Sequence, residues 1–176
     1  KHKIYTRAPV VSVRRKTHGA EVLIGTRGAE HFDEVILACH ADQSLRLCEK
    51  LDPVERELLS AFPYQMNEAV LHTDVRLLPE RKIAWASWNY RLPADERDTV
   101  LVTYNMNRLQ GLESGETWCV TLNPGNTIQP ERVHRRFWYE HPLFTAGRSA
   151  AQRQHAALIR RRGLSFCGAY WGFGFH

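Results

Sequence analysis

The sequence predicts a mixed α+β (α/β) fold, an antiparallel-rich sheet with flanking helices, on three observations. A β-rich stretch from Ile4 to Ile24, broken by turn residues, hands the chain to the unbroken apolar run Val35-Ile36-Leu37-Ala38-Cys39. Two helix-periodic segments follow directly. From Tyr64 to Leu122 the texture changes to β-branched and aromatic runs separated by turns.

Ile4 to Val13 alternates loosely, with Pro9 tolerable at a strand edge or bulge. Thr17-His18-Gly19 turns the chain into Glu21-Val22-Leu23-Ile24, and a second turn at Gly25 to Gly28 leads to a strand over Phe32 to Cys39. The run Val35 to Cys39 has no polar alternation, which is the pattern of a strand buried on both faces and paired in parallel. A helix opens at Ala41-Asp42 and repeats apolar residues at Leu45, Cys48 and Leu51. The next has the clearest start in the chain: Asp52 as cap, Pro53 in the first turn and Glu55 at the capping-box position. Leu58, Leu59 and Phe62 give it a buried face, and Pro63 stops it.

Strands are expected over Glu68 to Thr73, Ile83 to Tyr90, Thr99 to Asn105, Thr117 to Leu122 and Arg135 to Tyr139. Asn105 and Asn107 stand out as polar residues near a strand end. Thr145 is placed to cap a helix running to Ile159, with Gly163 ending it. A short strand, Leu164 to Cys167, then runs into a segment where Gly168, Gly172 and Gly174 alternate with aromatics. Glycines straight after a strand imply that something approaches the backbone closely.

The 176 residues, 43% hydrophobic and 24% charged, suit a globular chain with a sizeable core. No apolar run approaches the roughly 20 residues of a membrane helix. A net charge of +5 invites a nucleic-acid reading, but the arginines are scattered. The one tight run, Arg160-Arg161-Arg162, falls where a helix is expected to end and where cations complement its dipole. No nucleic-acid partner is expected. The four cysteines are far apart inside apolar segments, which fits packed thiols in a cytoplasmic protein.

Several chemistries lack their geometry. The Gly111 to Gly115 stretch is not a nucleophile elbow, and Gly25-Thr26-Arg27-Gly28 is too short for a phosphate loop and lacks its lysine. The histidines show no HExxH and the cysteines no CxxC, so no metal site is expected; His72 with Asp74 and Cys39 with His40 are the nearest pairs. What remains is a joint signal. If the strand ending at Ala38 and the one ending at Gly168 share a sheet, their carboxyl ends meet on the edge where α/β sheets bind ligands.

The order of Arg7-Ala8-Pro9-Val10, Phe32 to Ala38 and Phe166-Cys167-Gly168-Ala169 resembles the flavin-containing amine oxidase superfamily. The blocks Ala38 to Ser44, Leu71 to Asp74, Trp85 to Tyr90, Val102 to Asn107, Tyr139 to Pro142 and the terminal Phe-Cys-Gly-Ala-Tyr-Trp-Gly are similar to its bacterial branch of NAD/FAD-binding amine oxidoreductase-like proteins. The resemblance implies an oxidoreductase with FAD as cofactor and a small-molecule substrate. It implies that Val10, Ala38, Cys39, Gly168, Ala169 and Tyr170 face the cofactor, and that Trp171, Trp88 and Tyr90 wall the flavin or substrate. It also implies an organisation in which residues 1–48 are part of an FAD-binding domain, 49–145 a substrate-domain-like sheet region, and 146–176 a helix and strand returning to the FAD-binding domain.

The family's amino-terminal GxGxxG segment has no counterpart here, and Tyr170 stands where amine oxidases tend to carry an acidic residue. The chain is therefore expected to be a fragment of a longer protein, inactive and a poor FAD binder on its own, with open strand edges through which it self-associates. The rival expectation is a non-catalytic ligand-binding or interaction module on the same scaffold.

Overall fold

The computed structural model describes residues 3–25, 27–92 and 101–173. In chain order its strands are β1 (Val10–Arg15), β2 (Ala20–Ile24), β3 (Gly28–Phe32), β4 (Val35–Leu37), β5 (Tyr64–His72), β6 (Trp88–Arg91), β7 (Leu101–Asn105), β8 (Cys119–Leu122), β9 (Val133–Pro142) and β10 (Leu164–Phe166). Its helices are α1 (Ala41–Leu47), α2 (Pro53–Ser60), α3 (Met106–Gln110) and α4 (Arg148–Arg153). The fold is mixed α+β and rich in antiparallel pairs, as the sequence predicts. The chain divides into two compact units, Lys1–Tyr64 with Pro142–His176, and Gln65–His141.

In the first unit β1, β2 and β3 form an antiparallel meander. The strand expected over Phe32 to Cys39 is in fact two: β3 ends at Phe32 and β4 starts at Val35. Gly19 explains the tightness of this corner. Its φ is +72°, and a Cβ there would lie 2.1 Å from the Phe32 carbonyl oxygen, so only glycine lets the first turn pass the end of β3.

β4 pairs in parallel with β10, Val35 facing Leu164 and Leu37 facing Phe166. Both strands therefore end on the same side. The expected burial on both faces is not found: Leu37 is buried, but Ile36 is 63% exposed. An unbroken apolar run records that a strand suits two covered faces, whereas among the described residues this pair has a packed layer on one face only.

Under that face lies a continuous apolar core of Leu37, Ala41, Leu58, Leu59, Phe62, Leu158, Leu164 and Phe166. α2 enters it as its cap predicts. The Asp52 carboxylate accepts from the Glu55 N–H at 3.0 Å, and Glu55 returns the bond to the Asp52 N–H at 2.9 Å. Arg15 pairs with the buried Glu55, and Arg161 holds Asp52 at 2.7 Å. The arginine run thus does not end a helix. α4 stops at Arg153 and a 3-10 turn at Leu158, while Arg160 and Arg161 reach Glu34 and Asp52, tying the approach to β10 to the start of β4 and the cap of α2.

The second unit is a five-stranded sheet in the order β6-β7-β8-β5-β9. The strand expected from Ile83 begins only at Trp88, after a 3-10 turn over Lys82–Ala84; residues 99 and 100 of another lie outside the described residues. The two asparagines have structural tasks. Asn105 caps α3 by accepting from the Arg108 N–H at 3.2 Å. Asn107 accepts from the Trp118 N–H at 2.7 Å and donates to the Glu116 carbonyl at 2.9 Å, fastening the loop before β8.

A candidate ligand cavity at the ends of two parallel strands

Just beyond the carboxyl ends of β4 and β10, in the first unit, is a cavity of about 390 Å³. Ala38, Cys39 and His40 line it from the β4 side, Gly168, Ala169 and Tyr170 from the β10 side, and Gln43, Tyr64 and Pro142 complete the wall. Its position follows from the pairing: the Cys167 N–H donates to the Leu37 carbonyl at 2.9 Å, so both chains leave the sheet together. Small residues at both exits keep the space open. Side chains no larger than a methyl at Ala38, Gly168 and Ala169 leave room for a guest against the backbone.

The turn after β10 is held from behind. α4 presents the buried Arg148, whose Nη2 donates to the Gly172 carbonyl at 2.7 Å, and Gln152, which donates to the carbonyls of Tyr170 at 3.0 Å and Gly172 at 2.8 Å. The Arg148 guanidinium also lies 3.8 Å from the Phe144 ring centroid, so among the described residues its charge is met by carbonyls and a π-face. His155 stacks on Trp171 at 4.4 Å and bonds the Phe166 carbonyl at 2.8 Å. Phe62 meets the rings of Tyr170 and Trp171 edge-on at 4.9 and 4.8 Å.

This cage changes the meaning of Gly168. Its φ is +153°, and a Cβ there would lie 2.6 Å from Cε1 of Tyr170. The close approach that the glycine permits is therefore that of the chain's own tyrosine ring. Tyr170 is buried, and burial pushes its hydroxyl above its ordinary pKa. Burial also raises Tyr64, whose oxygen accepts from the Ala41 N–H at 3.2 Å. Both phenols stay neutral, as befits a wall that offers flat apolar surface and neutral hydroxyls.

The structure thus brings Ala38, Cys39, Gly168, Ala169 and Tyr170 to one cavity. Val10 lies instead in an adjoining apolar groove, which it shares with Val35, Leu37, Ala38 and Cys39. Trp171 packs behind the turn. Trp88 and Tyr90 stand on β6 of the second unit, both exposed, Tyr90 beside a separate polar depression with Arg76 and Glu80. The residues that sequence reasoning missed are Arg148, Gln152 and His155. Their only signal is polarity on the helix before β10, which a solvated face shows equally.

His72 and Asp74 form no metal pair. The His72 Nδ1 accepts from the Asp74 N–H at 3.1 Å and its Nε2 faces Thr121 Oγ1 at 2.7 Å, so both ring nitrogens are used.

No protein-family model matches the sequence, and no curated protein matches it. Solved structures do. The chain is similar to a conjugated-linoleic-acid-producing fatty acid isomerase from P. acnes, with 14% identity and a TM-score of 0.57, over 96% of this chain and 44% of that one. It is similar to reduced UDP-galactopyranose mutase at 12% identity and a TM-score of 0.58, over 93% and 41%. To putrescine oxidase bound to putrescine it has 14% identity and a TM-score of 0.54, over 94% and 43%. The chain spans less than half the length of each. Such identities speak to the fold alone: the chain shares the fold of the matching parts of these proteins.

Proposed function

We propose that this chain contributes part of an FAD site to an oxidoreductase of amine oxidase type, acting on a small molecule. The observation that carries the reading is the cavity at the carboxyl ends of β4 and β10, where open α/β sheets bind nucleotide-containing ligands. At about 390 Å³ it lies toward the small end of ligand pockets, so it suits one portion of a dinucleotide and not the whole. Ala38, Cys39, Gly168 and Ala169 would lie against that portion, with Tyr170 and Tyr64 excluding water; Val10 would extend the contact along the neighbouring groove. When bound, FAD supplies the redox chemistry by accepting a hydride from a reduced carbon of the substrate. Trp88 and Tyr90 are proposed as substrate-facing rings on the second unit.

A non-catalytic ligand-binding or interaction role on the same scaffold is the second reading, and one observation favours it over the flavin: the close approach at Gly168 is explained by the Tyr170 ring without a flavin. Titrating FAD into the chain, with ligand-observed NMR and flavin fluorescence, tests the first reading. Weak saturable binding, lost when Ala38→Phe fills the cavity, is expected. No binding up to millimolar FAD, or binding indifferent to Ala38→Phe, overturns this cavity as the flavin site. FAD that co-purifies at near-stoichiometric occupancy overturns the statement that the chain holds only part of it.

A further inference from the structure

In the second unit a polar cavity of about 310 Å³ gathers charge that the packing of the sheet does not use. It lies between the segment that follows β5, the loop before β8 and the 3-10 turn Pro130–Arg132 that leads into β9. The charged residues in its wall are Asp74 and Arg76 from the first, Glu116 from the second and Arg132 from the third.

Asp74 and Arg76 cancel. Arg76 donates to the two carboxylate oxygens from Nε at 2.9 Å and from Nη2 at 2.5 Å, and Asp74 also accepts from the Gln129 N–H at 3.0 Å. This fork fixes the guanidinium and leaves its Nη1 without a partner among the described residues. Glu131 also bears on Arg76 but does not line the cavity.

Arg132 and Glu116 do not cancel. Arg132 donates from Nε to Gln129 Oε1 at 3.1 Å, and its carbonyl accepts from the Thr73 N–H at 3.1 Å, which ties it to the Asp74 side. Glu116 is anchored by another route. Its N–H donates to Ser114 Oγ at 3.2 Å, and its carbonyl accepts from Asn107 Nδ2 at 2.9 Å. Among the described residues neither side chain forms an ion pair.

We propose that this cavity binds a free α-amino acid, its carboxylate at Arg132 and Nη1 of Arg76, its ammonium at Glu116. Charge selects the class. A simple anion gains at Arg132 and is opposed by Glu116, a simple cation meets the reverse, and a neutral ligand answers neither charge. A small zwitterion answers both. The hydroxyls of Thr73 and Thr117 line the cavity, make no hydrogen bond among the described residues and can serve either end, since each both donates and accepts. The volume sits at the lower bound of small-molecule pockets, which suits a single compact ligand.

Saturation-transfer NMR on the whole chain, with each of the common α-amino acids at millimolar concentration, tests the proposal. At least one is expected to bind saturably, and acetate and methylammonium, which carry the two charges singly, to bind at least about tenfold more weakly. Arg132→Gln and Glu116→Gln are each expected to weaken the amino acid about tenfold; both side chains are exposed, so neither change opens the core. Ala38→Phe, which fills the cavity at β4 and β10, is expected to leave this binding unchanged, so the two sites are read apart. Failure of every amino acid to bind overturns the proposal. So does binding that acetate or methylammonium equals, binding that either charge substitution leaves intact, or binding that Ala38→Phe abolishes.

Discussion

The two units exclude water from their interiors in different ways. The first is sealed by apolar and aromatic packing, with Phe62, Leu59, Leu158, Leu164 and Phe166 essentially without exposure. Among the described residues the second has a small apolar cluster, Val70, Leu77 and Ile128, and a buried polar line. Because Nδ1 of His72 accepts from the Asp74 N–H, Nε2 carries the proton and donates to Thr121 Oγ1, which meets Thr103 Oγ1 at 2.9 Å. Asp74 in turn is gripped by Arg76 at 2.5 Å and accepts from the Gln129 N–H at 3.0 Å. Apolar packing fails in proportion to the volume removed, whereas a hydrogen-bonded interior fails when one partner changes its protonation or loses its mate.

The largest expected effect lies in the first unit. Phe166, on β10 and fully buried, is the hub between the sheet and the Tyr170 turn. Phe166→Ala is expected to cost about 3–5 kcal/mol. Urea unfolding combined with hydrogen exchange read by peptide checks it: protection should collapse in β4, α2 and β10. Loss confined to the second unit would break the contrast between the two interiors.

How much of this contrast was legible depends on the range of each signal. The start of α2 was readable to the residue because Asp52, Pro53 and Glu55 act within one turn. β10, and the meeting of its end with that of β4, followed from an apolar run and a glycine. The exposed face at Ile36 was not legible, because a run of apolar residues does not say how many layers exist to cover it. Nor was α3, whose five residues are fixed by the Asn105 cap and not by periodicity. The polar line escaped as well: His72, Thr103 and Thr121 lie far apart in sequence and meet only through strand register, with Thr103 facing Thr121 across β7 and β8. At the cavity, Gly168 was visible as a close-approach glycine, but the identity of what approaches, the Tyr170 ring, depends on a cage supplied by α4.

The second unit carries a pH response of its own at His72. Burial lowers the His72 pKa to about 4, against an ordinary value near 6.5. Its Nδ1 faces an N–H, so a second ring proton has no acceptor there. Asp74 and His134 are the charged or titratable groups that also bear on it, and Asp74 offsets only part of the burial effect. Below the ordinary histidine pKa the unfolded chain takes up a proton that the folded one refuses. Stability is therefore complete above about pH 6.5 and falls as pH drops toward 4, by up to about 3 kcal/mol. The Asp74 carboxyl, held low chiefly by its hydrogen bond to Arg76, titrates below that window. Urea midpoints between pH 7 and 4 measure the slope, and His72→Gln should flatten it. An unchanged slope in His72→Gln would assign the effect to another group.

The smallest of these effects dissects the cavity turn. Gly168→Ala meets two penalties: a φ of +153° that a side chain disfavours, and a Cβ placed 2.6 Å from the Tyr170 ring. Together they should cost about 1–3 kcal/mol, and the near-ultraviolet circular dichroism of the Tyr170 and Trp171 rings should change. A double-mutant cycle with Tyr170→Ala separates the two terms, since removing the ring abolishes the collision and leaves the backbone strain. A strong coupling between the two positions means that glycine stands at 168 for the sake of Tyr170. Full additivity would mean that the backbone conformation alone requires it. In that case the space beside the turn is free for a guest, and the ligand reading of Gly168 is strengthened at the expense of the packing one.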